Sequence, residues 1–189
     1  MEPLVILREE HELLRRVLDS LHQCLLRVER GGSRRDLPRF VRWLRAFIES
    51  WHGGKEEDIL FRAMEKQGFD TSTGPIAVIR CEHSEMLSGL DLAASAVAEA
   101  KEGDLPSVHP ALVALRSLGY LLRYHMEMEE AVVFPMAEAE LSPEAKREVW
   151  ERMYAETRQS NQSPIAGALH AMAQEFLVIY PSVSSRSAA

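Results

Sequence analysis

The sequence predicts an all-α protein, an up-down-up-down four-helix bundle with one or two extra C-terminal helices. Four long segments repeat apolar residues at the spacing of one buried helix face. The connections between these segments are short, which favours antiparallel packing of neighbouring helices. Strand signals are missing, since no run alternates apolar and polar residues and no Asn-Gly or Asp-Gly pair marks a hairpin.

Glycine and proline mark the ends of the four long helices. Gly31-Gly32 and Gly68 each stop a segment, because glycine ends helices readily. Pro38 stands in the first turn of the second helix, where no N–H donor is needed. At 1.5 Å per residue, each helix would be about 40–50 Å long. The four predicted helices cover residues 3–29, 36–68, 75–103 and 109–141.

The residues after the fourth helix are predicted to form an extension. Ser142-Pro143-Glu144 is typical of a helix start, with serine as the N-cap and proline in the first turn. It opens a shorter helix to about residue 158, and residues 164–180 could form another. The last residues are small and polar, as in disordered termini. We therefore expect a bundle at residues 1–141, a helical extension packed on it at 142–181, and a disordered tail at 182–189.

The composition argues against several classes of protein. The chain has 189 residues, 46% hydrophobic and 27% charged, which is ordinary for one globular domain. The net charge of −7 argues against nucleic-acid binding, and no apolar run approaches the ~20 residues that cross a bilayer. The two cysteines form no CxxC pair, and the first residues show no secretory signal. We expect a cytoplasmic protein without nucleic-acid or membrane partners.

An internal repeat is the most informative feature of the sequence. Residues 52–61 read HGGKEEDILF and residues 125–134 read HMEMEEAVVF, so both follow His-x-x-x-Glu-Glu-x-apolar-apolar-Phe. A Glu-His pair precedes each copy on the preceding helix, Glu10-His11 in the first case and Glu82-His83 in the second. The chain therefore consists of two helical hairpins, each with one histidine followed by one His-x-x-x-Glu.

The repeated residues are predicted to form a metal site. Residues four apart lie one turn apart on the same helix face, so each His-x-x-x-Glu offers two ligands together. The histidines of the first and third helices lie within apolar stripes, which places them in the core. Nitrogen and oxygen ligands without thiolate suit iron, manganese or zinc. The predicted ligands are His11, His52, Glu56, His83, His125 and Glu129.

Each motif alone has a simpler interpretation. A single buried histidine is usually a hydrogen-bonded core residue, and a single His-x-x-x-Glu is usually a solvated pair worth a few tenths of a kcal/mol. Two copies in register, each preceded by an inward histidine, are hard to explain in that way. Packing alone would favour leucine, because an unpaired buried polar group costs about 1–3 kcal/mol.

The pattern resembles the hemerythrin-like HHE cation-binding family. The resemblance covers roughly residues 5–140 and is carried by four segments, at residues 10–14, 52–61, 82–85 and 125–135. It implies a four-helix bundle with two non-haem iron ions, for which zinc or manganese could substitute. By this resemblance His11 and His52 would bind one iron, and His83 and His125 the other. Glu56 and Glu129 would bridge the two ions, and whether an oxo group also bridges them is left open.

One position departs from the oxygen-carrying hemerythrins. Those proteins have a second histidine one turn after the third-helix ligand, where this chain has Leu87. One imidazole fewer implies more open or water-filled coordination positions, which weakens the case for simple oxygen carriage. The resemblance then implies a protein that binds, senses or reacts with O2, NO or peroxide. Whether it is an enzyme stays open, as do an iron-storage or iron–sulfur repair role and a homodimer or protein partner.

Three further functions remain as alternatives. A ferritin-like carboxylate oxidase would use Glu-x-x-His, which occurs once at residues 49–52 without a second copy. A peroxide-decomposing enzyme of the hemerythrin type would be recognised by turnover of peroxide. A metal-free helical interaction module would be favoured if the protein held no metal and kept its fold without the histidines.

Some neighbouring residues carry weaker expectations. Glu57 and Glu130 are expected to face solvent or to hydrogen-bond a histidine as supporting groups. Gly53-Gly54 costs helix stability, which indicates a close helix approach or a local bend beside the site. Tyr120 and Tyr124 are expected to pack in the core rather than line the pocket.

Overall fold

A computed structural model describes residues 4–182, and its regular structure over that range is helical, without a β-strand. The predicted all-α bundle class is therefore confirmed. The predicted tail at 182–189 lies outside the described residues except for Ser182. Within the described range the six helices are α1 (Val5–Glu29), α2 (37–66), α3 (Gly74–Glu99), α4 (105–140), α5 (Pro143–Asn161) and α6 (Pro164–Ile179).

Glycine ends two of the long helices, as predicted. After α1, Gly31 has φ +87° and its N–H donates to Val28 O at 2.9 Å. After α2, Gly68 has φ +93° and its N–H donates to Glu65 O at 3.0 Å. A side chain disfavours such positive φ values, so glycine allows the chain to leave the helix here.

The predicted start of the fourth helix was wrong by four residues. α4 begins at Leu105, and Pro106 occupies its first turn, where a missing N–H costs nothing. Pro110, the second residue of the predicted range 109–141, lies inside the helix and removes one hydrogen bond. Both prolines give the same signal, and the earlier one marks the true start.

Helices α2 and α4 contain turns wider than those of an α-helix. Their hydrogen bonds join residues five apart over Phe47–Trp51, Glu56–Phe61 and Glu129–Val133. In the first of these, His52 N–H donates to Phe47 O at 2.9 Å. Such π-helical turns are rare and concentrate at functional sites. Here each one adjoins a predicted metal ligand.

Two hydrophobic clusters fill the bundle. The larger is built around buried residues such as Phe40, Trp43 and Leu115, and it extends through most of the length of α1–α4. The smaller includes Phe61 and Phe134, near the beginning of α1 and the end of α4. The predicted metal ligands contact both clusters, so the site lies between them inside the bundle.

The C-terminal helices pack on the bundle. α5 adds Val149 and Met153 to the smaller cluster, and α6 adds Phe176 to the larger one. Trp43 Nε1 donates to Leu169 O at 2.9 Å, which fixes α6 against α2. The division of the chain at residues 141/142 into bundle and extension stays a prediction.

Among the described helices, none combines the length and the apolar character that crossing a bilayer requires.

Candidate metal centre

The six predicted ligands come together inside the bundle, one histidine from each of α1–α4 and one glutamate from each of α2 and α4. Five of the six are buried, and the side chain of His83 is 14% exposed. Helical geometry explains the convergence, because each His-x-x-x-Glu places both side chains on the inward face. The site residues are His11, His52, Glu56, His83, His125 and Glu129.

The first group of ligand atoms joins α1, α2 and α4. His11 Nε2 lies 3.0 Å from His52 Nε2. His52 Nε2 lies 3.0 Å from Glu56 Oε1, and His11 Nε2 lies 3.2 Å from Glu129 Oε2. One ligand atom from each of these four residues lies within 4.8 Å of the others, so they could hold one metal ion.

The second group uses the other two histidines and the same two glutamates. His83 Nε2 lies 3.3 Å from Glu56 Oε2, and His125 Nε2 lies 3.3 Å from Glu129 Oε1. These four residues also offer ligand atoms within 4.8 Å of one another. Each glutamate therefore directs one oxygen towards each pair of histidines, as a residue that bridges two ions would.

The chemistry of these residues fits a pair of cations. Both oxygens of Glu56 and of Glu129, together with His125 Nε2, are buried and have no hydrogen bond of acceptable geometry within residues 4–182. Leaving such atoms unpaired costs about 1–3 kcal/mol each, and more when they are charged. Metal ions would satisfy these atoms, and the mixed nitrogen and oxygen set suits iron, manganese or zinc.

Every histidine of the site is held by a second carboxylate. Each Nδ1 lies 2.8–3.0 Å from a glutamate oxygen, in the pairs His11–Glu130, His52–Glu10, His83–Glu57 and His125–Glu82. An Nδ1–H that donates to a carboxylate fixes the ring and leaves Nε2 free to bind a metal. The His52–Glu10 pair lies within the first hairpin and the His125–Glu82 pair within the second. The other two pairs connect the two hairpins.

The sequence anticipated half of these supporting residues. Glu57 and Glu130 were expected to face solvent or to bond a histidine, and the structure shows the histidine bonds. Glu10 and Glu82 were missed, although their signal was present in the repeated Glu-His pair. The structure shows why the pair repeats: each of these glutamates holds the histidine of the next helix.

Basic side chains neutralise three of the four supporting carboxylates. Arg15 Nη2 lies 2.6 Å from Glu130 Oε2, and Arg80 Nε lies 2.9 Å from Glu57 Oε2. The third is Lys55, which is fully buried and whose Nζ lies 2.8 Å from Glu10 Oε1. For Glu82, the described part of the chain provides no cation within 4 Å, so the supporting groups are not equivalent.

The four histidines have shifted pKa values in the metal-free protein. Burial lowers the pKa of His11 to about 4 and that of His125 to about 3. For His52 and His83 burial acts in the same direction, but nearby carboxylates, Glu56 above all, outweigh it and raise both pKa values to about 9. Without metal, one histidine of each pair is therefore protonated at neutral pH.

The two central glutamates shift in opposite directions. Burial raises the pKa of Glu129, and the carboxylate of Glu56 beside it raises it further. Burial would also raise the pKa of Glu56, but His52 and His83 hold it well below its usual range. Two adjacent carboxylates cannot both ionise readily in a buried site, so protons balance their charge when no cation is present.

The widened turn before His52 depends on Gly53. A Cβ added at this position would lie 2.3 Å from Ile48 O, which is too close for any residue but glycine. A Cβ at Gly54 would meet no atom within 4 Å. Of the two explanations left open for Gly53-Gly54, the structure supports the local bend within α2.

A small cavity adjoins the ligands on the side of the larger hydrophobic cluster. Besides ligand side chains, apolar residues line it, including Leu14, Met86 and Met126. It has room for about one water-sized molecule. Tyr120 and Tyr124 do not line it, and the expectation that they pack in the core was wrong, since they are 71% and 54% exposed.

Comparison with protein families gave a match over most of the chain. The sequence matches the family model described as Hemerythrin HHE cation binding domain over residues 2–137. The comparison with curated proteins and the comparison with solved structures each gave no match. The matched range includes α1, α2 and α3 and nearly all of α4, which together carry all six predicted ligands.

Proposed function

The chain belongs to the hemerythrin HHE cation-binding family, and from this premise we propose that it holds two non-haem iron ions and binds or reacts with O2, NO or peroxide. One ion would lie between His11 and His52, and the other between His83 and His125. Glu56 and Glu129 would bridge the two ions. Manganese or zinc could occupy the same ligands.

One observation carries the proposal. Glu56 and Glu129 are fully buried, and each has one oxygen beside each histidine pair. A single-ion site would not need two carboxylates shared between two sets of imidazoles. A metal-free core would not bury two adjacent carboxylates, because desolvating each one is costly.

The protein's own residues prepare the site for its ligand. Bound iron would supply open coordination positions and a change of oxidation state. The Nδ1–carboxylate bonds fix the four rings, and the surrounding apolar side chains exclude bulk water. Leu87, at the position of the additional histidine in oxygen-carrying hemerythrins, provides no ligand atom. The small cavity limits the ligand to a few atoms.

The lining of the cavity favours binding or sensing over peroxide turnover. Among the described residues that line the cavity, the ligands alone have acidic or basic side chains, so no other lining group could deliver protons. Two of its residues are methionines, Met86 and Met126, and peroxide oxidises methionine to the sulfoxide. Repeated exposure to peroxide would therefore alter the walls of the cavity.

Metal content is the first test of the proposal. Protein purified without added metal or chelator, or reloaded with ferrous iron in the absence of oxygen, should contain about two irons per chain by elemental analysis. His52→Ala should hold less metal, whereas His22→Ala, at an exposed position of α1 away from the site, should keep both ions. Protein that takes up no metal would sink the proposal and favour a helical interaction module.

Ligand binding is tested next on the iron-loaded protein. The reduced protein should change its visible absorption when O2 or NO is added, and the change should reverse when the gas is removed. Peroxide should be consumed in no more than a few equivalents. Continued consumption over many equivalents, with the methionines intact by mass spectrometry, would assign a peroxide-decomposing enzyme instead.

A further inference from the structure

The two halves of the proposed metal site differ at one position of the repeat. Three residues after His52 stands Lys55, and three residues after His125 stands Met128. Lys55 is fully buried, and its Nζ lies 2.8 Å from Glu10 Oε1 and 2.5 Å from Trp51 O. At this position the second half has an uncharged methionine where the first half has a buried cation.

This difference changes the charge behind one histidine in each half. Glu10 supports His52, with Oε2 at 2.9 Å from Nδ1, and its other oxygen is neutralised by Lys55. Glu82 supports His125 at 2.8 Å, and no cation among the described residues lies within 4 Å of it. The remaining supporting carboxylates, Glu57 and Glu130, each have an arginine.

Charge and access both favour the second half. A cation between His83 and His125 faces one more uncompensated carboxylate than a cation between His11 and His52, and in a buried site such a charge is poorly screened. His83 is also the most accessible ligand, with 14% of its side chain exposed against 0% for His11. An incoming ion therefore reaches the second half more easily and is held there more strongly.

We propose that the two metal positions fill in order, the first cation binding between His83 and His125, and that the buried Lys55 weakens the position between His11 and His52. Lys55 acts through Glu10 and His52 and is a positioning residue that touches no ion. This inference rests on the proposed function in that it requires a site for two ions.

Titration with cobalt(II) alone tests the order without redox chemistry. Absorption spectra and competition with a chelator should resolve two binding steps for the full chain. His11→Ala should keep the tighter step, and His125→Ala should lose it. The reverse assignment, in which His11→Ala loses the tighter step, would overturn the inference while leaving the two-ion site intact. Binding of no cobalt would overturn both the inference and the proposed function.

Exchanging the residues at the two equivalent positions tests the role of Lys55. Lys55→Met should tighten the weaker step by roughly tenfold, because it removes a buried positive charge near that ion. Met128→Lys should weaken the tighter step, because a lysine there would reach Glu82 as Lys55 reaches Glu10. A structural role for Lys55 would instead weaken both steps, and that result would overturn the inference.

The reciprocal variant keeps the test decisive if Lys55→Met does not fold. Met128 is only partly buried, so a lysine at this position avoids the full desolvation cost that it would carry in the core. Folding of each variant is checked by helical circular dichroism before titration. If Met128→Lys folds and leaves the tighter step unchanged, the charge explanation is wrong.

Discussion

The two hairpins repeat the same ligands but build them into helices in different ways. In the first hairpin, widened turns lie on both sides of the motif, at Phe47–Trp51 and Glu56–Phe61. In the second, α4 runs as a regular α-helix to Met128 and widens only over Glu129–Val133. The repeated residues therefore place the ligands, whereas the unrepeated residues between them set the local backbone and charge.

The three residues between histidine and glutamate account for this difference. They are Gly-Gly-Lys in the first hairpin and Met-Glu-Met in the second. Gly53 permits the close approach of Ile48 O, whereas its counterpart Met126 is buried in the larger hydrophobic cluster. Lys55 is a buried ion-pair partner, whereas its counterpart Met128 packs against the smaller cluster. The first half depends on polar contacts and glycine, and the second on apolar packing.

The largest expected effect on stability comes from removing the glutamate that supports His52 in the first half or His125 in the second. Glu10→Leu leaves Lys55 buried without its counterion, so we expect a loss of about 3–5 kcal/mol in the free energy of unfolding. Glu82→Leu removes only the hydrogen bond to His125 and should cost about 1–3 kcal/mol. Urea denaturation of the metal-free proteins measures both.

The double variant Glu10→Leu with Lys55→Met serves as the control for this comparison. It removes both members of the buried ion pair, and replacing such a pair by apolar residues is often close to neutral. It should therefore recover most of the stability lost in Glu10→Leu. Equal losses for Glu10→Leu and Glu82→Leu would show that the two halves are energetically alike.

A smaller effect is expected at the widened turn before His52. Gly53→Ala places a Cβ 2.3 Å from Ile48 O, and such overpacking should cost about 1–3 kcal/mol and reduce metal content in the first half. Gly54→Ala is the matched control, since its Cβ meets no atom within 4 Å and alanine favours helix by up to ~1 kcal/mol. Urea denaturation and elemental analysis of both variants measure these effects. A Gly54→Ala variant as unstable as Gly53→Ala would contradict the prediction.

The smallest difference between the halves is expected in the response to pH, where the two halves should behave alike. The pKa values of His52 and His83 are raised to about 9 in the metal-free protein, so one protonated imidazole in each half must lose its proton to bind an ion. Affinity should therefore fall as pH is lowered below about 9, by up to roughly tenfold per pH unit for each proton displaced.

The same protonation affects the stability of the metal-free fold. Because the folded pKa values of His52 and His83 lie above the unfolded value near 6.5, their contribution to the free energy of unfolding is full below that pH and is lost as pH rises through about 9.

Titration calorimetry of metal binding at pH 7.5, in buffers of different ionisation enthalpy, should detect at least one proton released per ion bound. Binding without proton release would contradict these raised pKa values.

Much of the fold and the convergence of the six ligands could be predicted from patterns in the amino-acid sequence. Apolar spacing and glycine positions predicted the long helices, and the repeat identified the histidines and glutamates that the structure brings together. The start of α4 was misplaced because Pro106 and Pro110 give the same local signal. Tyr120 and Tyr124 were misplaced because helical spacing alone does not show where a neighbouring helix stops covering a face.

The sequence alone determined which residue types could form a site, because helical periodicity places residues four apart on one face. Only the tertiary structure decided which oxygen of Glu56 and Glu129 faces which histidine pair, since that depends on how four helices pack. It also decided that Lys55 is buried against Glu10, while no cation among residues 4–182 lies within 4 Å of Glu82. The Lys55–Glu10 and His125–Glu82 contacts join residues 45 and 43 positions apart, beyond the reach of any local pattern.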